Sequence, residues 1–304
     1  MGCRKLRLRL FTFAAGVTAV LGFAAVPAAE AATSAPHSNN TASSLPYGLY
    51  QNGNDLQYSI DGSVPEYGIK YLGWDSNGTE PFDVTTANAA YNNGVEPFLE
   101  LQPCTSPCNA SGGGYSLVDI ANGVYDSSLS AFNSSVAAWG HPLLLTFGHE
   151  MNGNWYPWGY QSFTPAQWIA AWDHVTSIIN APNVTWVWAP NINTSAYHPL
   201  SAYWPGSRHV GMCGLDGYLS NSTDTWSNTI APSVAALQSV CRWKPWILAE
   251  TGVNDTDANA VSQIDDLVDG ATWSGADALM YFNKYNWLLT PDMESEFLSD
   301  VAGS

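Results

Sequence analysis

Residues 142–189 read PLLLTFGHEMNGNWYPWGYQSFTPAQWIAAWDHVTSIINAPNVTWVWA, and the pattern changes period twice along them. Residues 142–147 form a mostly apolar run of strand length, as a parallel sheet covered on both faces requires. From Thr164 the spacing becomes helical. Its hydroxyl can cap a helix, Pro165 suits the first helical position, and Gln167 completes a capping box. Trp168, Trp172, Val175 and Ile179 then share one helical face. At 185–189 strand character returns. The stretch is one strand–helix–strand unit.

The same alternation extends in both directions. Strands are expected at 47–50, 68–74, 95–101, 142–147, 185–189, 210–218, 245–249 and 277–282, and a short helix with an acidic start at 291–298. Eight strands in residues 47–304, about 260 residues, predict a (β/α)8 TIM barrel, an α/β fold in a single domain. A doubly wound sheet would alternate similarly, but no Gly-rich phosphate loop opens a helix. Gly112-Gly113-Gly114 reads as flexible punctuation.

Ahead of this domain, residues 1–31 read as a secretion signal. Arg4, Lys5, Arg7 and Arg9 form a basic head, an apolar run follows, and Ala29 and Ala31 supply the small residues of a cleavage site. Met1-Gly2 resembles a myristoylation start, but Leu6 stands where Ser or Thr is needed. Residues 32–46 are small and polar and read as a flexible linker. The expected location is secreted and extracellular.

Past residue 31, five basic residues (Lys70, Arg208, Arg242, Lys244, Lys284) face 25 acidic ones. That balance excludes nucleic acid and anionic membrane as partners, since both need a basic footprint. Aromatic residues outnumber charges there, and 14 of them are Trp, which suits a neutral, hydroxyl-rich ligand. Four cysteines remain in this part. Cys104 and Cys108 share one Pro- and Gly-rich loop and are expected to pair, which leaves Cys213 with Cys241. No His lies at ligand spacing from either pair, so no metal is expected there.

Two carboxyl groups carry the chemistry. Glu150 follows the fourth strand and Glu250 ends the seventh, so both open onto the mouth at the strands' C-terminal ends. A carboxyl pair beside Trp155 and Trp158 can cleave a glycosidic bond: one protonates the leaving oxygen, the other meets the charge developing at the anomeric carbon. His149-Glu150 resembles the start of a zinc-protease helix, but Gly153 occupies the position of the second His. No Gly-x-Ser-x-Gly elbow is present either. No cofactor is called for.

The ten residues His149-Glu-Met-Asn-Gly-Asn-Trp-Tyr-Pro-Trp158 resemble the acid/base signature of glycoside hydrolase family 26, best known for endo-β-1,4-mannanases. The likeness continues in Trp186-Val-Trp-Ala-Pro-Asn191, in Gly214-Leu-Asp-Gly-Tyr218 and in Glu250-Thr-Gly252. The resemblance implies a retaining mechanism with Glu150 as general acid/base and Glu250 as nucleophile. It implies that His149 organises the centre, that Trp155 stacks on sugar and that Tyr218 bonds Glu250. Trp158 and Trp287 join His149, Trp155 and Tyr218 as expected substrate-binding residues.

Three departures bear on the sugar. Mannanases of the family carry Arg where Thr146 stands, a His where the third strand ends in Glu100-Leu-Gln102, and a Trp on the eighth strand, which here reads Leu279-Met-Tyr-Phe282. The expected partner is a neutral plant-type or microbial β-glycan, with β-mannan first and mixed-linkage β-glucan or β-xylan as alternatives. A non-catalytic polysaccharide-binding protein is the competing class, though a binder needs no paired acids. A structural wall protein would show no cleft.

Overall fold

The computed structural model describes residues 44–303 except 52–55, 57, 106–107, 109–112 and 194. The expected signal and most of the expected linker lie outside the described residues. Within them, no helix is long and apolar enough to cross a membrane.

Ten strands form: β1 (Tyr47–Tyr50), β2 (Tyr67–Leu72), β3 (Trp74–Asp75), β4 (Gly78–Thr79), β5 (Glu96–Leu101), β6 (Leu143–Phe147), β7 (Val184–Trp188), β8 (Met212–Leu219), β9 (Trp246–Val253) and β10 (Leu279–Phe282). Eight of them close into a barrel in the order β1-β10-β9-β8-β7-β6-β5-β2, every pairing parallel. The helices are α1 (Val84–Asn92), α2 (Leu117–Ala121), α3 (Asp126–Trp139), α4 (Pro165–Ile178), α5 (Ala231–Val240), α6 (Ala260–Trp273) and α7 (Pro291–Ala302). This is the expected (β/α)8 barrel.

Inside the barrel, Ile69, Phe98 and Leu144 lie in register on β2, β5 and β6 and belong to an inner apolar cluster with Val187, Ile247, Ala249 and Met280. Side chains alternate along a strand, so two residues further on Tyr71, Glu100 and Thr146 face the same axis one layer higher, at the mouth. The outer faces pack on the helices. On α4, Trp168, Trp172 and Val175 are fully buried, and the Thr164–Gln167 capping box forms as the sequence predicts. Removing an indole from such a position costs roughly 3–5 kcal/mol.

Four differences from the sequence reading have physical causes. The run at 68–74 breaks at Gly73, because Trp74-Asp75 leaves the barrel to pair antiparallel with Gly78-Thr79. Leu45 and Pro46 are part of the barrel rather than of a linker: Leu45 N–H bonds Val301 O at 2.8 Å, and Pro46 O accepts from Leu279. The last helix continues to Ala302, closed by Gly303 in the left-handed conformation. Strand β9 runs past Ala249 to Val253, so Glu250 lies within it rather than at its end.

Strand β9 also carries an extra residue. Leu248 pairs with Leu215 and Leu279, but the next partners are Asp216 with Glu250 and Tyr281 with Thr251. The strand bulges at Ala249-Glu250. Strict alternation after Ile247 and Ala249 would turn Glu250 outward, and the bulge turns it back to the axis. Cys104–Cys108 and Cys213–Cys241 are joined, with Cα atoms 5.5 and 6.5 Å apart, inside the span a disulfide bridges.

A π-helical turn, Trp226–Ile230, precedes α5, and the Trp226 ring lies flat on Gly270 of α6. A Cβ at Gly270 would stand 2.1 Å from that ring. Helix propensity alone favours Ala over Gly by about 1 kcal/mol. Overpacking reverses the sign, so Gly270→Ala should destabilise the fold by roughly 1–3 kcal/mol in denaturant titration. A stabilised Gly270→Ala protein would contradict this packing.

Candidate active site

Glu150 sits three residues past β6 in a tightly pinned turn. Gly148 and Glu150 have φ of +55° and +51°, a conformation that costs a non-glycine residue about 1–3 kcal/mol and persists only where neighbours impose it. Here they do. Gly148 N–H bonds Leu101 O at 2.9 Å and Glu150 N–H bonds Ala189 O at 2.8 Å. From outside the barrel, Trp168 Nε1 donates to Gly148 O at 3.0 Å and Trp158 Nε1 to His149 O at 2.7 Å. The helix face predicted from periodicity thus reaches the backbone that aims Glu150.

The Glu150 carboxyl receives two neutral donors, Trp155 Nε1–H on one oxygen and the Asn191 amide on the other. Asn191 is fixed in turn by Asn152, which donates to its carbonyl at 2.8 Å and accepts from its N–H at 2.9 Å. The Trp155 ring lies over Gly153, where a Cβ would come within 2.4 Å of it.

Glu250 is also held by two neutral donors, the hydroxyls of Tyr71 from β2 and Tyr218 from β8. Trp287 packs on Tyr218 with ring centroids 4.5 Å apart. Between the two acids His149 Nδ1 pairs with Glu100 Oε2 at 2.8 Å. Asp216 is in register with Glu250, and its buried carboxyl has no hydrogen-bond partner among the described residues. Among the described residues neither Lys nor Arg bonds to either acid.

Burial dominates the electrostatics. It raises Glu150, against the opposing pull of His149, Trp155 and Asn191. Glu250 is pushed up to about 8, by burial first and then by the charges of Glu100 and Glu150. Asp216 is driven well above the carboxylate range by burial and the same neighbours, and an unpartnered buried acid of this kind is neutral. Burial disfavours charge on His149, but Glu100, with Glu250 and Glu150, overrides it and lifts the imidazole to about 9. The centre therefore holds its protons collectively. Both acids are raised, so the field does not single out Glu150 as the protonated one.

Glu100, His149 and Glu250 offer ligand atoms within 4.8 Å of one another, enough to surround a metal ion. A protonated imidazole paired to Glu100 has no lone pair to give, which argues for an ion pair there.

Of the residues expected to touch substrate, Trp155, Tyr218 and Trp287 are partly exposed beside the two acids. His149 and Trp158 lie deeper. His149 is fully buried beneath the acids, and Trp158 is 1% exposed, stacked on Tyr156 at 4.4 Å. Trp158 holds the His149 carbonyl, one residue before Glu150. Sequence reasoning missed Tyr71, which register arithmetic from Glu100 would have found, and the contact of Asn191 with Glu150, which nothing local announces.

The sequence model of glycosyl hydrolase family 26 matches residues 125–270, which contain both acids. Endoglucanase H of Acetivibrio thermocellus is 30% identical over 198 residues, 60% of this chain and 20% of that protein. A mannan endo-1,4-beta-mannosidase of Bacillus subtilis is 24% identical over 212 residues, 65% of this chain and 53% of that one. The chain thus spans between a fifth and about half the length of these relatives. Among solved structures, the YdhT protein of Bacillus subtilis superposes with a TM-score of 0.63 at 17% identity, covering 86% of this chain and 87% of its own. A Cellulomonas fimi endo-beta-1,4-mannanase double mutant gives 0.61 at 16%, covering 85% and 71%. These two share the barrel. The sequence likeness to glycosyl hydrolase family 26 thus spans residues 125–270, just under half of the chain.

Proposed function

We propose that the protein is a secreted, retaining endo-β-glycan hydrolase acting on a neutral polysaccharide, β-1,4-mannan first, with residues 47–304 as its catalytic domain behind a signal (1–31) and a linker (32–46, of which Leu45 and Pro46 join the barrel). The observation that carries this reading is the pair Glu150 and Glu250 at one barrel mouth, each held by two neutral donors and, among the described residues, neither neutralised by Lys or Arg. An acid built for an ion pair would have a cation beside it. These are arranged to exchange a proton and an electron pair with a ligand.

In the first step Glu150 gives its proton to the glycosidic oxygen while a Glu250 oxygen bonds the anomeric carbon and the aglycone leaves. In the second, Glu150 takes a proton from water, whose oxygen displaces Glu250 and restores both groups. The Tyr71 and Tyr218 hydroxyls favour the ionised Glu250 needed for attack. Their own pKa values are driven well above 10 by burial, so they remain donors. Trp155 offers a flat apolar face to the sugar on the leaving-group side.

A second reading, mixed-linkage β-glucan as substrate, is favoured by Thr146 and by the strand end Glu100-Leu-Gln102, which stand where the family's mannanases carry Arg and His, and by the relative named as an endoglucanase. Reducing-end assays with product sizing on mannan, glucomannan, barley-type β-glucan and xylan separate the two. Internal cleavage of mannan is expected. Release from no β-glycan would leave the polysaccharide-binding class standing.

The roles are tested by azide rescue. Glu150→Ala should lower polysaccharide turnover about 100- to 10,000-fold yet spare glycosyl-enzyme formation from an activated aryl glycoside. Azide should then give the β-glycosyl azide with Glu150→Ala and the α-azide with Glu250→Ala. Exchanged anomers would mean that acid and nucleophile are reversed.

The pH profile follows from the raised acids. Attack needs Glu250 ionised, so kcat/KM falls as pH drops through its raised pKa, well above the ordinary glutamate range; loss of the Glu150 proton sets the alkaline limb. Tyr218→Phe removes a donor that favours the charged form, and its acid limb should move to higher pH. Movement to lower pH would contradict the Tyr218–Glu250 bond.

A further inference from the structure

The face opposite the catalytic mouth, where helices return to strands, presents the two most exposed tryptophans of the described residues. Trp243, 99% exposed, lies in the loop from α5 into β9, and Trp273, 87% exposed, ends α6 ahead of β10. Strands β9 and β10 are hydrogen-bonded neighbours, so these loops adjoin. They are tied together: the Gln238 amide donates to Ser274 O at 3.2 Å, and Trp246 and Asp277 exchange hydrogen bonds at 2.8 and 2.9 Å.

Trp243 is held outward. Its φ is +68°, an outlier for a bulky side chain, and the loop is stapled two residues earlier by Cys241 to Cys213 of β8. Leaving an indole in water forgoes the burial that most tryptophans of this chain obtain. Arg242 and Lys244 flank the ring, and the next loop, ahead of β8, adds Arg208 and His209 on the wall of a cavity of about 310 Å³ shared with Asn180. Among the described residues Arg208, Arg242 and Lys244 form no ion pair within 4 Å, although 25 acids were available to pair them. Arg242 Nε–H donates to Ser239 O at 3.1 Å, and the remaining N–H groups of these three side chains can donate to hydroxyls.

We propose that this face is a second, non-catalytic binding site for a neutral polysaccharide chain, stacked on Trp243 and Trp273 with its hydroxyls accepting from Arg242, Lys244 and Arg208. Ring faces that stack on sugar C–H groups, beside unpaired donors, fit such a chain. A polyanion would be repelled by a chain of formal charge −17, and a protein partner of standard size would need about 800 Å² of contiguous surface rather than two rings among polar groups. The site does not depend on the catalytic reading, since binding here needs neither Glu150 nor Glu250.

The test is pelleting of the full chain with insoluble mannan, xylan and cellulose. Trp243→Ala and Trp273→Ala should each weaken association roughly three- to tenfold, and the double variant more, while Trp243→Tyr retains most of it. Hydrolysis of a short soluble oligosaccharide should be unchanged in these variants, and pelleting remains readable even if no hydrolysis is found. Parental pelleting by the double variant would overturn the site. Binding confined to polygalacturonate and lost in about 0.5 M salt would replace the neutral ligand with an anionic one. Self-association in sedimentation that the variants abolish would make the face a contact between copies.

Discussion

A single extra residue in β9 decides which way the Glu250 carboxyl points. In a barrel strand the period of two is rigid, so inward Ile247 and Ala249 would be followed by an outward residue packed among helices. The bulge breaks that period once and sends Glu250 to Tyr71 and Tyr218 across the mouth. Everything else at the centre is arranged around that direction. Glu100 and Tyr71 face it by ordinary alternation, and the pinned turn after β6 brings Glu150 to the other side.

Burial of several acids in one place is a liability that the surroundings contain without Lys or Arg among the described residues. Asp216 stays neutral, His149 carries the charge that Glu100 demands, and indole, amide and phenol donors hold the remaining carboxyls. Arginine would have held these acids more firmly, but it would also have fixed their ionised forms and lowered their pKa values. Neutral donors leave the protons movable.

Much of the barrel was legible because parallel strands buried on both faces must be apolar, and all eight were recognisable as apolar runs. The α4 start was legible because capping chemistry is local. The bulge was not: the apolar run stops at Ala249, and nothing in Glu250-Thr251-Gly252 announces four more strand residues beyond it. The depth of Trp158 was illegible for a related reason. A motif fixes chain distance from Glu150, whereas only packing tells that Trp155 stands at the mouth and Trp158 beneath it. Tyr71 is 179 residues from Glu250 in sequence, a contact that closure of the barrel creates.

The donors that hold the two acids have a consequence for solution conditions. Coulombic attraction between exposed charges fades as dissolved ions crowd around them, over about 8 Å at physiological strength. Trp155, Asn191, Tyr71 and Tyr218 bear no formal charge, and the Glu100–His149 pair is shut away from the ions that would shield it. The geometry of this centre is therefore insensitive to brine, and a salty medium leaves its acids where dilute buffer does.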